Sequence, residues 1–189
     1  MSIKHKTTLL VGVMLIVMII VSINAIFHQS SKILNEESEI MMNAQVDRAN
    51  ENVSLLLKSI VLETEKLSLN HKVKEYFKGT LSQENSDAFL ENLMADKNND
   101  RPVYMDLFLV DHEGMIVSAA MPEAVGIDVS GRMYFQRALF DKKTNTSDIL
   151  LSRADQTQIV ITLTPTYNEK SQVIGYTGIA ILRHISLIS

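Results

Sequence analysis

Residues 104–120, YMDLFLVDHEGMIVSAA, decide the fold of this chain. Two short apolar runs, Tyr104 to Val110 and Met115 to Ala120, flank Asp111, His112, Glu113 and Gly114. Two such runs joined by a short polar link ending in glycine, which tolerates positive φ, form a β-hairpin. Downstream, Gln158 to Tyr167 alternates Ile159, Ile161 and Leu163 against polar neighbours. Asn168 to Gln172 then turns the chain into Val173 to Leu182, a second hairpin. Ser147 to Ser152 reads as an added edge strand. Pro165 cannot donate to a ladder and is expected at an edge or a strand end. Short connections favour antiparallel order, and helical segments precede and interrupt the strands, so the class is α+β.

Between the hairpins lies Pro122 to Asp141, PEAVGIDVSGRMYFQRALFD. Ser130 can cap a helix whose Tyr134, Phe135, Ala138 and Leu139 face inward. Arg132 then falls in the first helical turn, where the macrodipole disfavours a cation. Two arrangements offset that. In one, Arg132 and the free N–H groups of the helix start hold an anion, since a guanidinium grips a carboxylate through two parallel hydrogen bonds. In the other, Arg132 is simply exposed or paired with Asp128.

Upstream of the hairpin, Gln29 to Lys78 contains no Gly and no Pro, and good helix formers dominate it. Val46, Val53, Ile60 and Leu67 recur every seven residues, with Ala49 and Leu56 between them, until Glu63 interrupts the seam. Such a stripe packs along the globular domain or pairs with the same helix of a second chain, and both can hold along different lengths. KEYFKG ends this helix near Gly79. Asn85 to Asp96 makes a short amphipathic second helix, and Lys97 to Pro102, KNNDRP, reads as a loop.

At the N-terminus, Thr7 to Phe27 lies in a stretch with no Asp, Glu, Lys or Arg between Lys6 and Lys32. About 20 apolar residues are long enough to cross a bilayer as a helix, so an anchor is expected. A cleaved secretory signal is the alternative, although Ile23 is bulky where a small residue is preferred before a cut after Ala25. Lys4 and Lys6 before the span, and Glu36, Glu37 and Glu39 after it, leave the N-terminus in the cytoplasm. The expected division is a cytoplasmic N-terminus at 1–6, a transmembrane helix at 7–27, a long extracellular helix at 28–78 and a sheet-bearing module at 79–189.

Composition narrows the function. The chain has 189 residues, net charge −4 and no cysteine, which removes disulfides, thiol nucleophiles and cysteine-ligated metals. No basic, aromatic-interleaved stretch points to nucleic acid. His5, His28, His71, His112 and His184 are scattered without metal-ligand spacing, and neither a nucleophile elbow nor a phosphate-binding glycine loop occurs. No enzyme activity, catalytic residue, metal site or cofactor is expected.

The succession of an apolar span, a long helix, DLFLVDHEGMIVSAA, GIDVSGRMYFQRAL, QIVITLTPTY and SQVIGYTGIAIL resembles the Cache sensor family, the extracellular PAS-like domains of bacterial chemoreceptors, sensor kinases and cyclic-dinucleotide enzymes. The most specific element is arginine, any residue, aromatic, aromatic at Arg132 to Phe135. The resemblance is to the double-Cache type of methyl-accepting chemotaxis receptors and covers nearly the whole chain. It implies a PAS-like antiparallel sheet flanked by helices and a small-molecule pocket involving Arg132, Tyr134, Phe135, Asp128 and Ala180.

In the amino-acid-binding branch, tryptophan and tyrosine follow the arginine, and an aspartate near the end of the last strand takes the ligand's ammonium. Here Tyr134 and Phe135 stand at the aromatic positions and Ala180 at the aspartate position. The resemblance therefore implies a carboxylate or other small anion rather than an α-amino acid. It further implies the N-terminal, membrane-distal piece of a longer receptor, dimerised through the long helix. The output is that of a chemoreceptor or, alternatively, of a histidine kinase or diguanylate cyclase. A membrane-anchored interaction protein with no small ligand is the contrasting class.

Overall fold

The computed structural model describes Met18, Ser22 and residues 41–100 and 102–182. The stretch expected to span the membrane, residues 7–27, lies outside them except for Met18 and Ser22, both helical. Lys4, Lys6 and the Glu36, Glu37, Glu39 cluster also lie outside. Among the described residues, no helix is long and apolar enough to cross a membrane. Contacts divide the chain into two compact units, Met1–Val53 and Ser54–Ser189.

In the second unit the strands sit where alternation and turn chemistry predict. They are β1 (Tyr104–Val110), β2 (Ile116–Ala119), β3 (Asn145–Thr146), β4 (Leu150–Leu151), β5 (Gln158–Tyr167) and β6 (Val173–Leu182). The order across the sheet is β2-β1-β6-β5-β3, with β4 also on β5, and every pairing is antiparallel. Of the expected strand at Ser147 to Ser152 only Leu150–Leu151, β4, is extended, and the other short strand, β3, lies just before it. Pro165 lies inside β5 rather than at its end. Its neighbour β3 pairs only with Thr162 and Leu163, so no ladder partner on that side needs the missing N–H.

Helices cover one face of the sheet. Residues 41–68 form α1, followed by α2 (His71–Phe77) and α3 (Gln83–Asp100). The helix expected to run unbroken to Lys78 stops after residue 68. Asn70 caps α2, its side chain accepting the Lys72 N–H at 2.9 Å. The expected loop at Lys97 to Pro102 is mostly the last turn of α3. Asn98 keeps that turn helical by clamping the start of β1, accepting the Tyr104 N–H at 3.0 Å and donating to the Tyr104 carbonyl at 2.9 Å. The seven-residue stripe divides. Leu56, Ile60 and Leu67 are buried, whereas Val46 and Val53 are exposed. Glu63, the interruption in the seam, accepts from Lys97 Nζ at 2.5 Å and from the Tyr104 hydroxyl at 2.6 Å.

Two cores result. Leu107, Leu109, Ile179 and Ile181 face the helices with Leu56, Ile60 and Leu90. Phe108, Ile159, Ile161 and Leu163 face the other way, toward α4 (Met133–Asp141) and the segment that leads into it.

Candidate functional site

The segment between β2 and α4 is held against the sheet by its backbone. Ile116 N donates to Ile127 O at 3.0 Å, Gly126 N to Ile116 O at 2.8 Å, and Val129 N to Gly114 O at 2.7 Å. Gly114 has φ +91°, and a Cβ there would lie 2.7 Å from Ser130 Cα, so only glycine permits this approach. The segment is thereby fixed as a wall facing β1, β6 and β5.

Arg132 is not inside α4 but at its N-cap, with no side-chain capping bond, and Ser130 does not cap the helix. From there the Arg132 guanidinium donates to Leu151 O at 3.2 Å. Tyr134 and Phe135 point inward from the first turn, as does Ala138, whereas Leu139, expected inward, is 42% exposed. Beyond an αL residue at Lys142, the chain returns through β3 and β4.

These elements enclose a cavity of about 50 Å³. Its walls are largely apolar, with Phe108, Ile116, Val129, Ile159 and Ile161 among them. Of the five residues expected to bind ligand, Arg132, Tyr134 and Ala180 line it. Phe135 does not reach it: the ring packs edge-on against Tyr176, with centroids 5.2 Å apart. Asp128 is not in the lining either. Its carboxylate accepts the Ser130 N–H at 2.8 Å, and hydrogen bonding from Ser130 holds it below the usual carboxylate range. No Arg132–Asp128 ion pair forms among the described residues.

Two charged groups not singled out from the sequence also line the cavity. Arg153, on the turn after β4, donates to the Asp128 carbonyl. Asp106, on β1, is buried and accepts the Met121 N–H at 3.0 Å. Burial pushes the Asp106 carboxyl up to about 7, and the Glu123 charge adds to the rise. Hydrogen bonds from the Met121, Leu107 and Ala120 backbone act in the opposite direction. A bulge between Tyr104 and Asp106 sets this geometry. It turns Tyr104 to the helix face and leaves Asp106 on the cavity face with Phe108, directly beside Ala180 of β6. The signal was present in the sequence as the one charge within an apolar strand.

Tyr134 is buried, and burial raises its hydroxyl to about 12 although Arg132 and Arg153 pull it down. Among the described residues this hydroxyl has no hydrogen-bond partner. Arg132, Tyr134 and Leu150 also line a cleft of about 190 Å³ that includes Arg137 and Asp148. No cluster of three or more His, Asp or Glu among the described residues is placed to hold a metal ion.

The fold of this chain overlays several solved structures. The sensor domain of the Vibrio cholerae histidine kinase DctB is 14% identical and overlays 82% of this chain and 57% of its own, with a TM-score of 0.60. The ligand-binding domain of a Campylobacter jejuni chemoreceptor, in complex with 4-methylisoleucine, is also 14% identical, overlaying 70% of this chain and 52% of its own with a TM-score of 0.53. This is the fold of the Cache sensor domains. The sensor domain of Escherichia coli DcuS shares the Cache fold at 18% identity, 66% and 86% coverage and a TM-score of 0.51. The chain spans little more than half the length of the chemoreceptor and DctB domains. At the level of sequence, no family model and no curated protein matches it.

Proposed function

We propose that this chain is the extracellular ligand-sensing part of a bacterial transmembrane receptor, of the double-Cache chemoreceptor type, and that its cavity binds a small molecule carrying a carboxylate. The reading rests on the Arg132 guanidinium at the rim of an apolar cavity. A guanidinium with one long hydrogen bond to a carbonyl keeps donors free for an incoming anion, and apolar walls strengthen that interaction by excluding water. The uncapped start of α4 adds free N–H groups and a favourable dipole on the same side. Similarity to sensor and ligand-binding domains supports a binding role rather than catalysis. Anchoring through residues 7–27, placement of residues 28–189 outside the cell membrane and dimerisation through α1 belong to the same proposal. The exposed Val46 and Val53 are consistent with pairing along that part of the helix.

A histidine-kinase output is the second reading, favoured by the longer overlap with the DctB sensor domain. The test of the binding site is thermal denaturation of the purified chain with small carboxylates. The wild type is expected to gain stability saturably, and Arg132→Ala to lose the gain while keeping its own melting temperature within a few degrees. Equal stabilisation of both proteins would remove Arg132 from the site.

A further inference from the structure

We propose that the outer face of α4, with the β3–β4 edge beside it, docks an acidic segment of another protein, one whose apolar side chains are flanked by carboxylates. This surface lies outside the cavity and does not depend on what the cavity binds.

The face follows from the way α4 packs. Its Tyr134, Phe135 and Ala138 are buried, so the opposite side is turned to solvent, where polar and charged residues are the rule. Met133, Arg137 and Phe140 stand there instead, spaced four and three residues apart and therefore on one side of the helix. Met133 is 66% exposed and Phe140 87%. The cleft of about 190 Å³ has Met133 and Arg137 on its helix bank and Ile149, itself 53% exposed, on the other. Single exposed apolar side chains need no explanation, but a row of them bordering a concavity marks a binding surface. Among the described residues of Ser54–Ser189, the exposed large apolar side chains outside this region are Leu55, Leu62 and Leu69, all on α1. Apolar exposure is thus confined to two surfaces rather than spread over the unit.

Charge says what covers this one. The chain carries net charge −4, yet residues 131–153 hold Arg132, Arg137, Lys142, Lys143 and Arg153 against only Asp141 and Asp148. None of these cations forms an ion pair among the described residues. A second copy of the same face would bring like charges together, which opposes a two-fold dimer across α4. A lipid surface would meet Asp148 in the cleft and leave the concavity unfilled. A protein segment with carboxylates around an apolar centre fits better. One of its apolar side chains enters the cleft between Met133 and Ile149, and another covers Phe140. Its carboxylates meet Arg137, which can grip one through two parallel hydrogen bonds, and Lys142 and Lys143 at the rim. Large apolar residues and arginine at the centre with lysine outside them is the composition of protein interfaces.

The test uses the full chain in phosphatidylcholine nanodiscs, with empty discs as the control. The probes are two fluorescein-labelled amphipathic peptides of identical leucine pattern, one with glutamate and one with lysine at the remaining positions. Fluorescence anisotropy is expected to show saturable binding of the glutamate peptide, weakening as salt rises, and no binding of the lysine peptide. Phe140→Ser should weaken that binding by about tenfold, and Arg137→Glu should reverse the preference toward the lysine peptide. Both side chains are exposed, so both variants are expected to keep the wild-type melting temperature.

Equal binding of the two peptides, binding of neither, or binding that both variants leave unchanged overturns the inference. If Arg137→Glu does not fold, Phe140→Ser and the salt dependence decide. Sedimentation velocity of the loaded discs, and their co-sedimentation with phosphatidylglycerol vesicles, test the other occupants. Self-association or vesicle binding that Phe140→Ser abolishes, without a preference for the glutamate peptide, assigns the face to a second copy or to lipid and overturns the inference as well.

Discussion

The two faces of the sheet differ in how they treat polar groups. On the helix face every buried polar side chain meets another protein group. Ser86 and Ser118 share a hydrogen bond of 2.7 Å, Ser118 donates to Asp87 at 2.6 Å, and the Tyr76 hydroxyl donates to Val117 O at 2.8 Å. Glu63 receives Lys97 and Tyr104. On the cavity face, Asp106 has backbone donors but no counter-charge, and the Tyr134 hydroxyl has no partner among the described residues. The first pattern is what stability alone demands. The second leaves a buried carboxyl without a counter-charge and a tyrosine hydroxyl at the edge of open space, although no fully buried side-chain polar atom among the described residues lacks a hydrogen-bond partner.

The widest separation between the faces should come from truncating an apolar side chain. Leu107, fully buried beneath the helices, becomes a void when cut to alanine, so Leu107→Ala is expected to lose about 2–5 kcal/mol in urea unfolding. Met105 already borders the cavity and is only partly buried, so Met105→Ala should cost about 1 kcal/mol. Equal losses would erase the distinction.

Isosteric removal of charge gives opposite signs on the two faces. Asp106 has a folded-state value near 7 against 3.8 for the free side chain. The folded protein therefore retains this proton between about pH 4 and 7 while the unfolded chain loses it. Stability from this group is fully present at low pH and falls by roughly 1.4 kcal/mol per pH unit through that window. Asp106→Asn should consequently be more stable than wild type at pH 8, by a few kcal/mol at most, with the gap closing toward pH 4 in paired denaturation curves. Glu63→Gln, by contrast, weakens two charge-assisted hydrogen bonds in a half-buried setting and should destabilise by about 1 kcal/mol. A stabilised Glu63→Gln would mean that the helix face also carries an uncompensated charge.

Much of the architecture was legible in the residues. Strands β1, β5 and β6 begin and end where apolar alternation and turn residues place them, because each strand's pattern is local and its hairpin partner is close in sequence. The inward set Tyr134, Phe135 and Ala138 followed from helical periodicity. What escaped depended on partners distant in sequence. KNNDRP looks like a loop by composition, yet Asn98 finds the backbone of β1 and most of the segment stays helical. Asn70 looks like one more polar residue on a helix, yet its side chain starts a new one. In the site, Arg132 announced itself by its unfavourable position at a helix start. Asp106 did not, because its meaning depends on a bulge that decides which face of the sheet it joins. Ala180 was read from β6 alone, and its register neighbour on β1, Asp106, became visible only in the sheet pairing.

That bulge also ties the two faces of the sheet together. Asp106 in the cavity and Tyr104 among the helices are two residues apart on one strand, and the Tyr104 hydroxyl reaches Glu63 of α1 at 2.6 Å. The cavity wall and the Tyr104–Glu63 hydrogen bond therefore share one short stretch of β1, two peptide units long.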